Sequence, residues 1–374
     1  FDPRRVSNAL AQACSDKMEP RIRARIDVED FEGALVVVAH IPELPPYMKP
    51  CYVKARPLYD GAFIRVGDGD RHLSRYEVDR LLEERRQPHH DEAVVERATL
   101  ADFDTKLKEA FIERVRSTSS RMVKELPSDD ILRIKGAADY DEEGVLRPTL
   151  AGIMALGSYP QQFFPRAKVS FLVVPGLSKA DLSPEGERFI DSRFIEGPIP
   201  YLIDETLYHV RRNMRISSRI EGAFRTDTEE YPEVAVREAL ANALMHRDYS
   251  PEGLGSQVQV NMYDDRIEIM NPGGLYGPVT VGTLGMLGEA AARNQVLAGI
   301  LEATPYSPGS DQGEVSSARF QPEYVVENKG TGFYQIRTAL DQAGMEPPAA
   351  YDHISTFQLL IYKKQPQAAD AEEG

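Results

Sequence analysis

Apolar residues alternate with polar ones, or recur every three to four positions, in blocks that read as strands and helices along the chain. Leu35-Val-Val-Val38 is a continuous apolar run, and within Ala34 to Ile41 it predicts a strand buried on both faces. Ile22 to Asp27 predicts a second strand, and Cys51 to Lys54 and Ala62 to Val66 two more around a turn at Asp60-Gly61. Arg4 to Cys14 suits a helix. Ser74, with Glu77 three residues on, has the capping-box spacing for a helix running to Arg86. Leu100 to Val115 is helical in its spacing, Asp129 or Asp130 opens a short helix, and Thr149 caps Leu150 to Leu156, which Gly157 and Pro160 end. Val169 to Val174 predicts a strand. Pro200 to Arg215 predicts a longer helix with Leu202, Ile203, Leu207 and Val210 on one stripe.

Pro232 and Glu233 suit the first turn of a helix that runs to about Met245. Gln257 to Tyr263 and Arg266 to Met270 alternate on either side of Asp264-Asp265, which predicts a hairpin. Leu275 to Asn328 is irregular and rich in Gly, Pro and Ser, as functional or disordered loops are. Thr331 to Gly344 reads as a helix and Thr356 to Tyr362 as a closing strand. The whole predicts a multi-domain α+β protein divided at 1–90, 91–222 and 223–366, with a small acidic disordered tail at 367–374.

At 374 residues there is room for two or three cores. The net charge of −15, from 44 basic and 59 acidic residues, argues against a chain that coats nucleic acid everywhere. It leaves room for one basic face: Arg4, Arg5, Arg21, Arg23 and Arg25 cluster, and Arg211, Arg212, Arg215 and Arg219 follow helical spacing. Cys14 and Cys51 are far apart and give neither a disulfide framework nor a metal cluster, so the expected location is cytoplasmic. No apolar run approaches the length of a bilayer span, so no membrane segment is expected. The chain begins at Phe1 without a signal-peptide pattern, which predicts a piece of a longer protein. Neither a G-x-x-x-x-G-K-[ST] loop nor C-x-x-C, H-E-x-x-H or G-x-S-x-G occurs, which argues against a P-loop helicase and against acyl transfer.

The candidate chemistry lies between Tyr231 and Gly332. Glu238, Asn242 and His246 follow at successive i,i+4 steps, on one face of the predicted helix. A carboxylate beside an amide can hold a hydrated metal ion and polarise a water. Two glycine turns follow, Asn271-Pro-Gly-Gly274 and Lys329-Gly-Thr-Gly332, where backbone can approach a ring or a phosphate closely. This ordered set reads as a nucleotide pocket. His246-Arg-Asp248 is either part of it or a structural network at the helix end.

Arg237-Glu-Ala-Leu-Ala-Asn-Ala-Leu-Met-His-Arg-Asp-Tyr249 and Ile267-Glu-Ile-Met-Asn-Pro-Gly-Gly274 resemble the GHKL ATPase superfamily, with its Bergerat-type α/β sandwich. They are similar in particular to the RecG-like ATP-binding domain of predicted transcriptional regulators, and Arg293-Asn294 and Glu327-Asn-Lys-Gly-Thr-Gly332 extend the likeness. Lys49-Pro50 and Phe63-Ile-Arg-Val-Gly67 look like the latter half of the Schlafen AlbA-like domain such regulators carry at their N-terminus, and 91–222 then reads as a connecting domain. The resemblance implies ATP and Mg²⁺ as ligands. Asn242 would hold Mg²⁺, Glu238 would orient or activate water, and Asn271 would meet adenine where the superfamily usually has Asp. Gly273 and Gly274 would lie against the base. Gly330, Thr331 and Gly332, with Lys329, would meet the phosphates, His246, Asp248, Arg293 and Asn294 would complete the site, and 275–328 would be the lid. The implied role is transcriptional regulation through DNA or RNA bound by the N-terminal region, with weak Mg-dependent ATP hydrolysis left open. The alternative is a nucleotide-free scaffold acting by homodimerisation or partner binding.

Overall fold

The computed structural model describes residues 2–67, 69–214, 216–221, 224–286, 291–305, 324–326 and 330–363, with the backbone alone over 216–221 and 224–228. Two compact units divide at Pro88/His89.

In the first unit, Asp2 caps a helix at Pro3–Gln12, accepting from the Arg4 and Arg5 amides. Strands Arg25–Phe31 and Ala34–His40 form an antiparallel ribbon. The run Leu35 to Val38 therefore has one partner strand, and Leu35 is 55% exposed, so the expected burial on both faces does not occur. Asp60-Gly61 closes a short helix, Leu58–Gly61, before the hairpin of Phe63–Val66 with Gly69–His72. The helix Arg75–Glu83 starts at a complete capping box between Ser74 and Glu77.

The second unit holds the main core. Asp104 caps helix α1 (Thr105–Thr118), accepting from the Leu107 amide at 2.9 Å. The Thr149 hydroxyl accepts from the Gly152 amide at 3.0 Å to start α2 (Leu150–Leu156), whose residues are all buried. A Cβ on Gly152 would lie 1.9 Å from the Ala137 carbonyl oxygen, so only glycine lets α2 sit that close. Strands β1 (Val169–Val173) and β2 (Asp191–Ile195) precede α3 (Ile199–Asn213), whose stripe Leu202, Ile203, Leu207 and Val210 is buried as its spacing predicts. Next come α4 (Glu233–His246), β3 (Val258–Met262), β4 (Arg266–Pro272), α5 (Gln295–Leu301), α6 (Gly332–Gln342), β5 (Ala349–Asp352) and β6 (Thr356–Tyr362).

The six strands form one mixed sheet in the order β2-β1-β3-β4-β6-β5. Only β1 and β3 pair in parallel, and the long crossover between them carries α3 and α4. Alternation puts Phe171, Val260, Ile269 and Leu359 in successive register on one buried face. On the other face Glu268 accepts from Asn261 at 2.8 Å and from Gln358 at 2.7 Å. Helix α4 packs against α3, α6 and β4, which is why nearly every residue from Ala235 to Met245 is buried. The sheet takes β1 and β2 from within 91–222 and the other strands from within 223–366, so one core spans both stretches. The expected tail at 367–374 lies outside the described residues.

Candidate functional site

Helix α4 carries Glu238, Asn242 and His246 one turn apart, and all three line one cavity of about 390 Å³. Strand β4 closes it with Ile269 and Asn271, and β6 with Phe357 and Leu359, cross-strand pairs on a single face. Gly330, Thr331, Gly332 and Phe333 form another wall where α6 begins. The amides of that first turn have no intrahelical acceptors, and the helix dipole favours negative charge at the same end.

Gly332 sits tight against the α4 side chains. A Cβ there would lie 2.9 Å from Asn242 Nδ2, 3.2 Å from Asn242 Oδ1 and 3.3 Å from Glu238 Oε2. Gly330 has φ +68°, a left-handed conformation open to glycine. Asn271 is buried, and its Nδ2 donates to the carbonyls of Pro272 at 3.1 Å and Gly273 at 3.4 Å. With its donors turned to the backbone, the side-chain carbonyl is what Asn271 can offer a ligand. The cavity also receives Gly274 and the apolar Leu275, Tyr276 and Leu284.

The remaining candidates take other places. Arg293 lies behind the turn, where its Nη2 donates to the Gly274 carbonyl at 2.9 Å. Gly273, at φ +84°, makes room for that guanidinium, since a Cβ would meet Arg293 Nη1 at 2.1 Å. Asn294 donates to the carbonyls of Met245 at 2.8 Å and Arg247 at 2.9 Å, satisfying the end of α4. The Asp248 amide donates to the Pro272 carbonyl at 2.8 Å, and its carboxylate accepts from the Ser250 amide at 2.8 Å and hydroxyl at 2.9 Å. These four residues tie the end of α4 to the end of β4, outside the cavity lining. Lys329 and, within the expected lid at 275–328, residues 287–290, 306–323 and 327–328 lie outside the described residues.

Two electrostatic features were not visible in the pattern. Burial, and after it the Arg293 guanidinium, push the His246 pKa down to about 4. Arg237 donates through Nη2 to Glu238 Oε1, although adjacent helical residues ordinarily diverge, so no spacing rule signals the pair. The apolar wall residues Phe333 and Ile336 were missed too; their i,i+3 spacing on α6 is the signal that could have found them.

Residues 255–361 match the family described as "Putative ATP-dependent DNA helicase recG C-terminal". That stretch holds both glycine turns but starts after α4, so Glu238 and Asn242 precede it. Residues 79–170 match a domain of unknown function, DUF8451. Among curated proteins the comparison finds no match. Among solved structures, the crystal structure of the DIP2311 protein from Corynebacterium diphtheriae superposes with a TM-score of 0.51 at 18% identity, over 98% of this chain and 63% of that one. The likeness is one of fold, and this chain spans under two thirds of that protein. Among the described residues no helix is long and apolar enough to cross a membrane.

Proposed function

We propose that the second unit binds ATP with Mg²⁺ in the cavity between α4, α6 and the sheet, in the manner of a Bergerat-type domain whose cavity-lining residues fall within 223–366 and whose sheet also takes in β1 and β2. The observation that carries this reading is the meeting of Glu238, Asn242, Asn271 and Gly330 to Gly332, from three separate stretches, around one cavity of about 390 Å³. That volume suits a small-molecule ligand. The donor set fits the metal as well: Asn242 offers a hard oxygen, and Gly332 leaves the space a Cβ would fill beside it. Bound Mg²⁺ supplies charge neutralisation at the phosphate oxygens. Asn271 accepts from an exocyclic amino group, the first-turn amides of α6 meet the phosphates, and Glu238 takes the proton of a water. Neutral His246 adds shape rather than charge.

On this reading the cavity's occupancy is passed to nucleic-acid or partner binding by the rest of the chain, with 1–90 as the latter half of a Schlafen AlbA-like domain and the whole as a transcriptional regulator. Calorimetry of the full chain with ATP and Mg²⁺ is expected to give a saturable heat, with Asn242→Ala weakening affinity about tenfold or more, the scale of one lost charge-assisted contact. Absence of heat and of thermal shift at millimolar nucleotide refutes it. A nucleotide-free scaffold is the second reading, favoured by the uncharged Asn271. It predicts that Glu238→Ala and Asn242→Ala leave cellular function unchanged.

A further inference from the structure

We propose that Arg237 is a latch on Glu238: held against the Tyr324–Val326 segment, it keeps the Glu238 carboxylate engaged, so that bound ATP is retained rather than cleaved until that segment shifts. This rests on the reading of Glu238 as the proton acceptor for water. Arg237 is 7% exposed. Its Nη2 donates to Glu238 Oε1 and its Nη1 to the Val325 carbonyl at 3.4 Å. The second carboxylate oxygen, Oε2, faces Gly332, where α6 begins and where the missing Cβ leaves room beside it. Arg237 thus holds one oxygen of a carboxylate that lines the cavity.

The segment that holds Arg237 is itself anchored. Val325 is fully buried, and its amide donates to the Thr304 carbonyl at 3.1 Å. Tyr324 pairs with Pro305 in an isolated bridge, and the Arg114 guanidinium of α1 sits 4.0 Å from its ring centroid. Val326 is part of the cavity wall. One strap of three residues therefore joins α1, the cavity and Arg237.

Hydrolysis needs a bond from the water oxygen to the γ-phosphorus as the bond to the β–γ bridging oxygen breaks. ADP and phosphate leave, and the water proton passes to Glu238. A carboxylate hydrogen-bonded to a buried guanidinium is a weaker proton acceptor than a free one. Arg237 is accordingly a positioning residue whose removal speeds the chemical step without strengthening ATP binding.

Two variants of the full chain test this. Arg237→Met keeps the aliphatic stem and removes the donors; Arg114→Ala loosens the strap from a half-buried position on α1. Calorimetry with ATP and Mg²⁺, steady-state phosphate release and hydrogen exchange over 324–326 are measured on each. The expected result is kcat raised about tenfold, the scale of losing one hydrogen bond to a charged group, with KM and the ATP dissociation constant within about threefold. Exchange over 324–326 in nucleotide-free protein is expected to quicken in both variants. Normal ATP binding with unchanged or lower kcat in a folded variant overturns the latch alone. If Arg237→Met does not fold, Arg114→Ala decides. No ATP binding by the unsubstituted chain overturns the nucleotide reading, and the latch with it.

Discussion

His246 is a neutral imidazole at pH 7, because burial and then the Arg293 guanidinium hold its pKa near 4, against 6.5 for an unperturbed ring. The unfolded chain binds a proton at this ring below about pH 6.5 that the folded chain refuses until about pH 4. Its contribution to stability is therefore complete above 6.5 and is lost as the pH falls toward 4. His246→Gln is expected to flatten the fall in Tm between those pH values by about 1–2 kcal/mol equivalent, and to leave Tm at pH 7.5 nearly unchanged. A pH series of thermal melts checks it; an equally steep acid limb in the variant refutes it. At this scale the sequence was informative about which side chains gather and less so about what each does there. Glu238, Asn242 and His246 come together because 3.6 residues per turn brings i,i+4 positions to one face. Arg293 packs behind the turn at Gly273, where the missing Cβ makes room for its guanidinium, a packing relation between residues 20 apart that periodicity does not encode.

At the level of single elements, local chemistry was the most legible. The start of Arg75–Glu83 is fixed by the exchange between Ser74 and Glu77, and Arg71 adds two bonds to the Glu77 carboxylate at 2.8 Å each. The Arg71 guanidinium first, together with the Ser74 amide and hydroxyl, holds the Glu77 carboxyl down to about 2. A carboxylate with a lowered pKa stabilises the fold above its unfolded value of about 4.5 and stops doing so as the pH falls through about 2. Glu77→Gln is thus expected to cost about 1–2 kcal/mol at pH 7, reduced from the full value because Arg71 is half exposed, and almost nothing at pH 2. Urea unfolding at the two pH values measures the difference; equal costs at both would exclude the ion pair as the cause. Strands were less legible than caps. Thr356–Tyr362 has the bounds expected of it as a closing strand, whereas Asp191–Ile195 was missed, since an edge strand with exposed Ser192, Arg193 and Phe194 shows no clean alternation. The run Leu35 to Val38 misled for the converse reason: an apolar run indicates burial on both faces only where layers cover both, and with the helix Pro3–Gln12 packed against this two-stranded ribbon Leu35 still stays exposed.

Over the whole molecule, the parallel pairing of β1 with β3 decides how the chain can be divided. It joins residues about 90 apart, in stretches whose local patterns look self-contained, so nothing short of the fold reveals it. A piece limited to 223–366 keeps α4, α6 and four strands but loses β1, β2 and α3. Strand β3 then becomes an edge with unpaired amides and carbonyls, and α4 loses the helix packed along it. Phe171, Leu202, Ile203, Leu207 and Val210, each at most 1% exposed, leave the core with them. At about 1.5–3 kcal/mol for each such side chain, the loss rivals the net stability of a typical domain, about 5–15 kcal/mol. The piece 223–366 is therefore expected to aggregate or to melt without a cooperative transition, whereas 89–374 is expected to unfold in one step by circular dichroism and to show the same ATP-dependent thermal shift as the full chain. Cooperative folding of 223–366 alone would mean that β1, β2 and α3 are accessories to the cavity-bearing sheet rather than part of its core. Binding by 89–374 at full affinity would locate everything the nucleotide needs beyond Pro88, leaving residues 1–88 to respond to the site rather than to build it.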